Sequence, residues 1–371
     1  MLSKFIDACS YGNIQLIVEL YTNHTAEIDI SAESEYAFRL ACENGHLDVV
    51  RQLYAWKPTI DITALRNEAF RVACARGHLD LVRQLYEWKP DIDISTLNEY
   101  AFSVACENGH LELVRQLYEW KPTINISIDN ECAFRLACKN GHLDIIRQLY
   151  EWKPTIEISI LGEWAFRTAC WKGQLSIIRQ LYEWKPTINI SAVGEWAFSK
   201  SCEEGHIDIV RQLYEWRPTI DISSGNDYAF RIACINGHIH VVRQLYEWRP
   251  TIDISSDNED TFRCACCNGH LDVVKQLLEW NPNLNISNIS LKDIKSSAIR
   301  EYIKNFRYTK ITWLNTPIAV NDCETNLECP ICRCDNLTQY VKTPCGHKYC
   351  QGCIKDWLKK SNSCPYCRES F

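Results

Sequence analysis

Asn67-Glu68-Ala69-Phe70-Arg71-Val72-Ala73-Cys74-Ala75-Arg76-Gly77-His78-Leu79-Asp80-Leu81-Val82-Arg83-Gln84-Leu85-Tyr86-Glu87-Trp88 reads as two short helices joined by a tight turn. Ala69 and Ala73 lie four residues apart, as do Phe70 and Cys74, so the first half has one apolar helical face. Gly77 supplies the left-handed residue that ends this helix. Leu81/Leu85 and Val82/Tyr86 give the second half its own apolar stripe. Pro90 forbids continuation, and Ile92-Asp93-Ile94 alternates like a short extended arm. The unit is helix, turn, helix, extended loop.

The same unit recurs. The Ala-Cys pair appears at Ala41-Cys42, Ala73-Cys74, Ala105-Cys106, Ala137-Cys138, Ala169-Cys170, Ala233-Cys234 and Ala265-Cys266, with Ser201-Cys202 in the one gap, so the period is 32 residues. Ala8-Cys9 adds a divergent first copy and makes about nine units. No single unit can bury its apolar face alone. Stacked neighbours can, which predicts a solenoid in which small alanines let the first helices approach closely.

The turn strings Asn44-Gly45-His46-Leu47-Asp48-Val49-Val50 and Asn108-Gly109-His110-Leu111-Glu112-Leu113-Val114 resemble the central turn of ankyrin repeats. The resemblance covers residues 1–287. It departs in period, 32 rather than 33, and in the opening, where Tyr36-Ala37-Phe38-Arg39 stands for the family's Thr-Pro-Leu-His. The Trp-Lys-Pro-x-Ile-x-Ile tail is similar to arrays encoded by large DNA viruses. The fold class expected is therefore mostly α, an ankyrin-like helical solenoid.

Within such an array, repeated residues report the scaffold and varied ones are free to read a partner. The tryptophans from Trp56 to Trp280 that recur once per unit read as a packing ladder. The repeated turn histidines read as structural hydrogen-bonding residues, and the repeated cysteines as small apolar groups. Cys264, Cys266, Cys267 and His270 crowd together, but two of them are simply repeat positions. Variation concentrates just before the first helix and along it. Trp164, Trp171 and Trp196 are tryptophans outside the ladder. With Lys172 and Lys200 they form the candidate patch for a protein substrate, because aromatic anchors dominate interfaces; added packing is the rival reading.

Composition bounds the partners. Of the 371 residues, 46% are hydrophobic and 23% charged, so the chain is not disordered. A net charge of -7 argues against nucleic acid and against an anionic membrane surface. No stretch reaches ~18 consecutive apolar residues. The N-terminus lacks a signal-peptide core, so the expected location is the cytoplasm, that of the host if the chain is virus-encoded, or the nucleus. In such a compartment the 21 cysteines do not form a disulfide framework.

Twelve cysteines precede residue 300 and nine follow it. The second group has metal-ligand spacing. Cys329-Pro330-Ile331-Cys332, Cys345-Gly346-His347, Cys350-Gln351-Gly352-Cys353 and Cys364-Pro365-Tyr366-Cys367 offer seven thiolates and one imidazole. That donor set makes two closed tetrahedral sites for two structural Zn²⁺ ions. A module of ~45 residues cannot hold itself together by apolar burial alone. Between array and module, residues 288–306 read as a capping helix with Leu291, Ile294, Ala298, Tyr302 and Phe306 on one face. Residues 307–327 read as a tether, partly ordered through Trp313 and Leu314, and 328–371 as the zinc module.

The order of ligands resembles a RING finger. The resemblance implies interleaved pairing, with Cys329, Cys332, Cys350 and Cys353 on one zinc and Cys345, His347, Cys364 and Cys367 on the other. It implies a ubiquitin ligase, whose partner is a ubiquitin-conjugating enzyme charged with ubiquitin. Ile331, Trp357 and Pro365 match the family's docking groove, and Leu358 can widen it. Arg368 matches the cation that pins conjugating enzyme to ubiquitin. No residue of this chain is then a covalent nucleophile. The alternative is a non-enzymatic adaptor with a structural RING. A zinc-dependent nucleic-acid reader is disfavoured, because seven basic residues face four acidic ones in the module, a modest net of about +3.

Overall fold

The computed structural model describes residues 1–255, 260–282, 284, 286, 289–309, 317–319, 328–334, 339–358 and 363–369. The chain divides into two compact units, Met1–Asp221 and Ile222–Phe371.

The first unit is a stack of helix pairs: α1 (Leu2–Ser10) with α2 (Ile14–Asn23), α3 (Ala32–Glu43) with α4 (Leu47–Trp56), α5 (Ala64–Arg76) with α6 (Leu79–Trp88), and α7 (Thr96–Glu107) with α8 (Leu111–Trp120). It continues through α9 (Ile128–Asn140) with α10 (Leu143–Trp152), α11 (Ile160–Trp171) with α12 (Leu175–Trp184), and α13 (Ala192–Glu203) with α14 (Ile207–Trp216). The tightest seam runs between first helices of successive pairs. The alanines make this possible: Ala37, Ala41, Ala69 and Ala73 are buried, and Phe38, Phe70, Phe102 and Phe134 fill the space between layers. The second helices are joined by face-stacked rings, Tyr54 on Trp88, Tyr86 on Trp120 and Tyr118 on Trp152, each with centroids 3.9 Å apart. The tryptophan ladder is thus a packing device, as the period implied.

The turn histidines are structural too. The Nε2–H of His78 donates to the carbonyl of Glu43 at 2.9 Å, and that of His142 to Glu107 at 2.8 Å, one repeat back. Each ring lies on the glycine of the preceding turn. A Cβ built on Gly77, whose φ is 77°, would meet His110 Nδ1 at 2.4 Å. Conformation and crowding both demand glycine there. The arm expected at Ile92-Asp93-Ile94 is a turn with both isoleucines buried and no strand.

The sequence did not announce how the first helices begin. Leu65, Arg66 and Asn67 have φ of 50°, 61° and 62°, and the equivalent triplets at 33–35, 97–99, 129–131, 161–163, 193–195 and 225–227 repeat this left-handed turn. The variable segment before each first helix is this turn.

The second unit continues the pattern with α15 (Ser224–Asn236), α16 (Ile239–Trp248), α17 (Asp260–Asn268) and α18 (Leu271–Trp280). α19 (Ser297–Thr309) packs on α18. The cap begins later and faces differently than expected. Ile294, Ile299 and Ile303 are fully buried, whereas Ala298 is exposed. Ile294 is buried as expected, but within the helix the buried face shifts by one residue, because Ile299 and Ile303 form a more apolar i,i+4 pair than Ala298 and Tyr302. α19 also runs past residue 306. The rest of the tether, with Trp313 and Leu314, lies outside the described residues, except that β1 (Ile318–Ala319) joins the module's sheet. The order is β1-β2-β3, all antiparallel, with β2 (Gln339–Lys342) and β3 (Lys348–Tyr349), followed by α20 (Gln351–Leu358). No helix among the described residues is long and apolar enough to cross a membrane.

Candidate functional site

Two clusters of metal-ligating side chains form in the C-terminal module. Cys329, Cys332, Cys350 and Cys353 make one, and Cys345, His347, Cys364 and Cys367 the other, with the donor atoms of each group within 4.8 Å of one another. The chain alternates between them, pair by pair, as the interleaved arrangement requires.

The donor geometry fits zinc. A tetrahedron with Zn–S arms of ~2.3 Å has S···S edges of about 3.8 Å. Cys332 Sγ and Cys350 Sγ lie 3.6 Å apart. His347 Nδ1 lies 3.3 Å from Cys345 Sγ and 3.5 Å from Cys364 Sγ. The electrostatics agree. A backbone hydrogen bond at Cys334 brings the Cys332 thiol down to about 6, while burial pushes Cys353 up to about 12. Thiols so crowded cannot all ionise unless a cation joins them. Each cluster can hold one zinc ion with four protein donors. That leaves no coordination position for a reacting water, so the ions are structural.

A shell of contacts that the sequence reading missed orients the donors. Thr343 Oγ1 accepts from the His347 N–H at 3.0 Å and lies 3.1 Å from Cys345 Sγ. The hydroxyl of buried Tyr349 is 3.1 Å from Cys364 Sγ. Thr343, just after β2, and Tyr349, in β3, carry no metal signal in their spacing, which is why neither stood out. Cys334 is exposed and belongs to neither cluster; Cys323 lies outside the described residues.

Around this framework the expected docking residues are placed as follows. Cys329, Val341, Tyr349, Ile354 and Cys364 form the small core, with Trp357 and Leu358 packed half-buried against it. The Trp357 indole N–H donates to the carbonyl of Ser363 at 2.7 Å, tying α20 to the last ligand pair. Ile331 is 37% exposed and Pro365 half-buried. The exposed Arg368 holds its guanidinium 5.3 Å above the Trp357 ring. Tyr366, not singled out from sequence, is 71% exposed beside His347.

The array patch is more divided. Trp171 and Trp196 meet edge to face at 6.3 Å, Lys172 Nζ sits 3.9 Å above Trp171, and the Trp171 indole donates to Glu204 at 3.1 Å. Lys200 pairs with Glu203 at 2.6 Å. Trp164 and Trp196 each also cover an arginine of the preceding repeat, Arg135 at 4.8 Å and Arg167 at 5.1 Å. These arginines went unnoticed in the sequence. Arg135 Nε donates to the carbonyl of Asn130 at 2.6 Å and its Nη2 to that of Asp129 at 3.1 Å. Arg39, Arg71 and Arg167 fork onto their own left-handed turns in the same way. The rival reading of the extra tryptophans is therefore right for part of their surface.

Comparison with known proteins agrees with both halves. Residues 5–98, 70–161, 102–193 and 198–288 match the ankyrin-repeat family, and residues 327–368 match the ring finger domain family. An uncharacterized RING finger protein of Schizosaccharomyces pombe is 54% identical over 45 residues, 12% of this chain and 9% of that protein. The E3 ubiquitin-protein ligase RNF126 of Homo sapiens is 41% identical over 57 residues, 15% of this chain and 18% of its own length. The postreplication repair E3 ubiquitin-protein ligase RAD18 of Kluyveromyces lactis is 41% identical over 56 residues, 15% of this chain and 13% of that one. The similarity to these relatives spans less than a fifth of their length.

Proposed function

Since the chain belongs to the ankyrin-repeat family and carries a RING finger at its C-terminal end, we propose that it is a RING-type ubiquitin ligase whose array recruits the protein to be modified. The observation that carries this reading is the surface beside the two metal clusters. The exposure of Ile331, the half-burial of Trp357, Leu358 and Pro365, and Arg368 poised over the indole support reading these residues as an apolar dock with a cation at its edge. A module that served only to fold would have no use for such a surface.

In this reading the conjugating enzyme brings ubiquitin as a thioester on its own cysteine and docks on Ile331, Trp357, Leu358 and Pro365. Arg368, a rigid fork of donors, bonds both the conjugating enzyme and the ubiquitin it carries. Holding ubiquitin folded back confines the thioester to attackable geometries, so the contribution is one of position. The zinc ions, when bound, keep the module rigid. The array holds the target, with Trp171, Lys172, Trp196, Lys200 and the open part of Trp164 as the contact patch. Target lysines then meet the thioester at raised effective concentration. The work is done in the cytoplasm or the nucleus.

Discharge of ubiquitin from a panel of charged conjugating enzymes tests this. The parent chain is expected to speed discharge at least about tenfold with one of them. Ile331→Ala and Arg368→Ala are expected to stay folded and lose most of that gain, a loss of ~1.4 kcal/mol or more for each tenfold. A folded, zinc-loaded parent that speeds none of the panel would leave the adaptor as the better reading.

A further inference from the structure

Each metal cluster takes one ligand pair from the same kind of turn. In the first, the N–H of Cys329 donates to the carbonyl of Cys334 at 3.2 Å, and the N–H of Arg333 to the carbonyl of Cys329 at 2.8 Å. In the second, the N–H of Cys364 donates to the carbonyl of Glu369 at 2.7 Å, and the N–H of Arg368 to the carbonyl of Cys364 at 2.9 Å. Arg333 and Arg368 both take the left-handed region, with φ of 57° and 66°. In each turn a backbone hydrogen bond also joins the second cysteine to the residue two places on, Cys332 to Cys334 and Cys367 to Glu369. Register, hydrogen bonding and hand all match.

One side chain breaks the match. Where the second turn carries Glu369, the first carries Cys334. The second turn closes without a thiol at that place, because what the turn uses there is backbone, which any residue supplies. The thiol of Cys334 is therefore not required by the fold. It is nevertheless held against a metal donor: the Cys334 side chain, as well as its N–H, hydrogen-bonds to Cys332. Cys332 and Cys334 are both exposed, whereas Cys329 is buried and Cys350 and Cys353 are half-buried. Cys334 stands outside the four-donor set of this cluster, yet beside its most open donor. The edge of the site that meets solvent thus offers two thiols for one coordination place.

We propose that Cys334 is an exchange ligand of the first cluster, the thiol through which a zinc ion enters and leaves that site. In the exchange Cys334 hands its proton to Cys332 along the contact between them and takes the coordination place that Cys332 gives up. One sulfur–metal bond forms as another breaks, the charge of the site is unchanged and four thiolate donors are kept. The second cluster has the carboxylate of Glu369 at this position, a harder donor that competes poorly with thiolate for zinc. Its ion leaves only when a ligand is lost outright. The exchange concerns the metal alone and does not depend on ubiquitin transfer.

The test follows zinc released from the full, zinc-loaded chain to a chelator that changes colour on binding it. Release is expected in two phases, one for each cluster. Cys334→Ser, and Cys334→Glu, which rebuilds the turn of Glu369, should slow the faster phase about fivefold or more and leave the slower one unchanged. At equilibrium Cys332→Ser should still hold two zinc ions per chain, and C332S/C334S only one. Cobalt(II) loaded in place of zinc tells a thiolate from a serine oxygen at the vacated place. Its sulfur-to-metal charge-transfer band should keep the parent intensity in C332S and weaken in the double variant. Unchanged release from C334S and C334E would overturn the exchange ligand. Equal metal content and equal band intensity in C332S and C332S/C334S would do the same. Should C332S not fold, release from C334E against the parent still decides. If the metal results hold and no conjugating enzyme is discharged, the ligase reading falls and the exchange ligand stands.

Discussion

Arg135 shows how one side chain can hold a repeat. Its guanidinium bonds two carbonyls of a left-handed turn and lies beneath Trp164 of the next repeat. Three residues of that hand cost of order 1–2 kcal/mol each when unsupported. Hydrogen bonds from a charged group contribute roughly 1.5–3 kcal/mol, so the fork is of the right size to offset the turn. Arg135→Ala is expected to destabilise the array by about 2 kcal/mol in urea unfolding. Arg135→Lys should recover little of this, because an ammonium on a flexible stem cannot span both carbonyls. A loss below about 0.5 kcal/mol would show that the turn stands without its clamp.

At the scale of the element, the first helices present a column of thiols. Burial pushes Cys42, Cys74, Cys106, Cys138, Cys170, Cys202 and Cys234 well above the ordinary thiol value of 9.0, and Cys9 up to about 12. The sign follows directly. Above pH 9 the unfolded chain gives up these protons and the folded array keeps them, so the unfolded state binds fewer protons and stability falls as pH rises. Melting temperatures are expected to be flat from pH 7 to about 8.5 and to drop steeply towards pH 10. Cys138→Ala in one repeat should lessen that slope. A profile flat through pH 10 would mean the thiols ionise as easily folded as unfolded. The column itself was legible from the 32-residue period. Its neutrality follows from the close approach of helices that the neighbouring alanines allow.

For the whole molecule, array and zinc module draw on different sources of stability. The repeats sum nearest-neighbour contacts along the stack. Among the described residues the module's core is five side chains, two of them cysteines of the metal-ligating clusters. Structural zinc supplies such modules with about 10–16 kcal/mol of binding free energy. Treatment with a strong chelator is therefore expected to release two zinc ions per chain and abolish discharge of charged conjugating enzymes. The far-UV helical signal, which comes mainly from α1 to α18, should fall by only a small fraction. Loss of most helicity on chelation would show that the array depends on the metal.

What the sequence determined by itself was local along the chain. Helical stripes repeat every three or four residues, a glycine ends each first helix, and ligand pairs such as Cys329/Cys332 and Cys364/Cys367 lie three residues apart, so their chemistry is written in their spacing. Where local spacing was ambiguous it misled, as when the cap helix turned Ile299 and Ile303 inward instead of Ala298. The tertiary structure decided what depends on residues a full repeat apart. Arg135 meets Trp164 across 29 positions, and the left-handed turns run against the backbone preference of Leu65, Arg66 and Val193. No pattern of neighbours encodes either. In the repeats of Arg71, Arg135 and Arg167 the helix's own arginine forks onto this turn and the next repeat lays a ring over it, a contact that becomes visible only when the repeats are laid side by side.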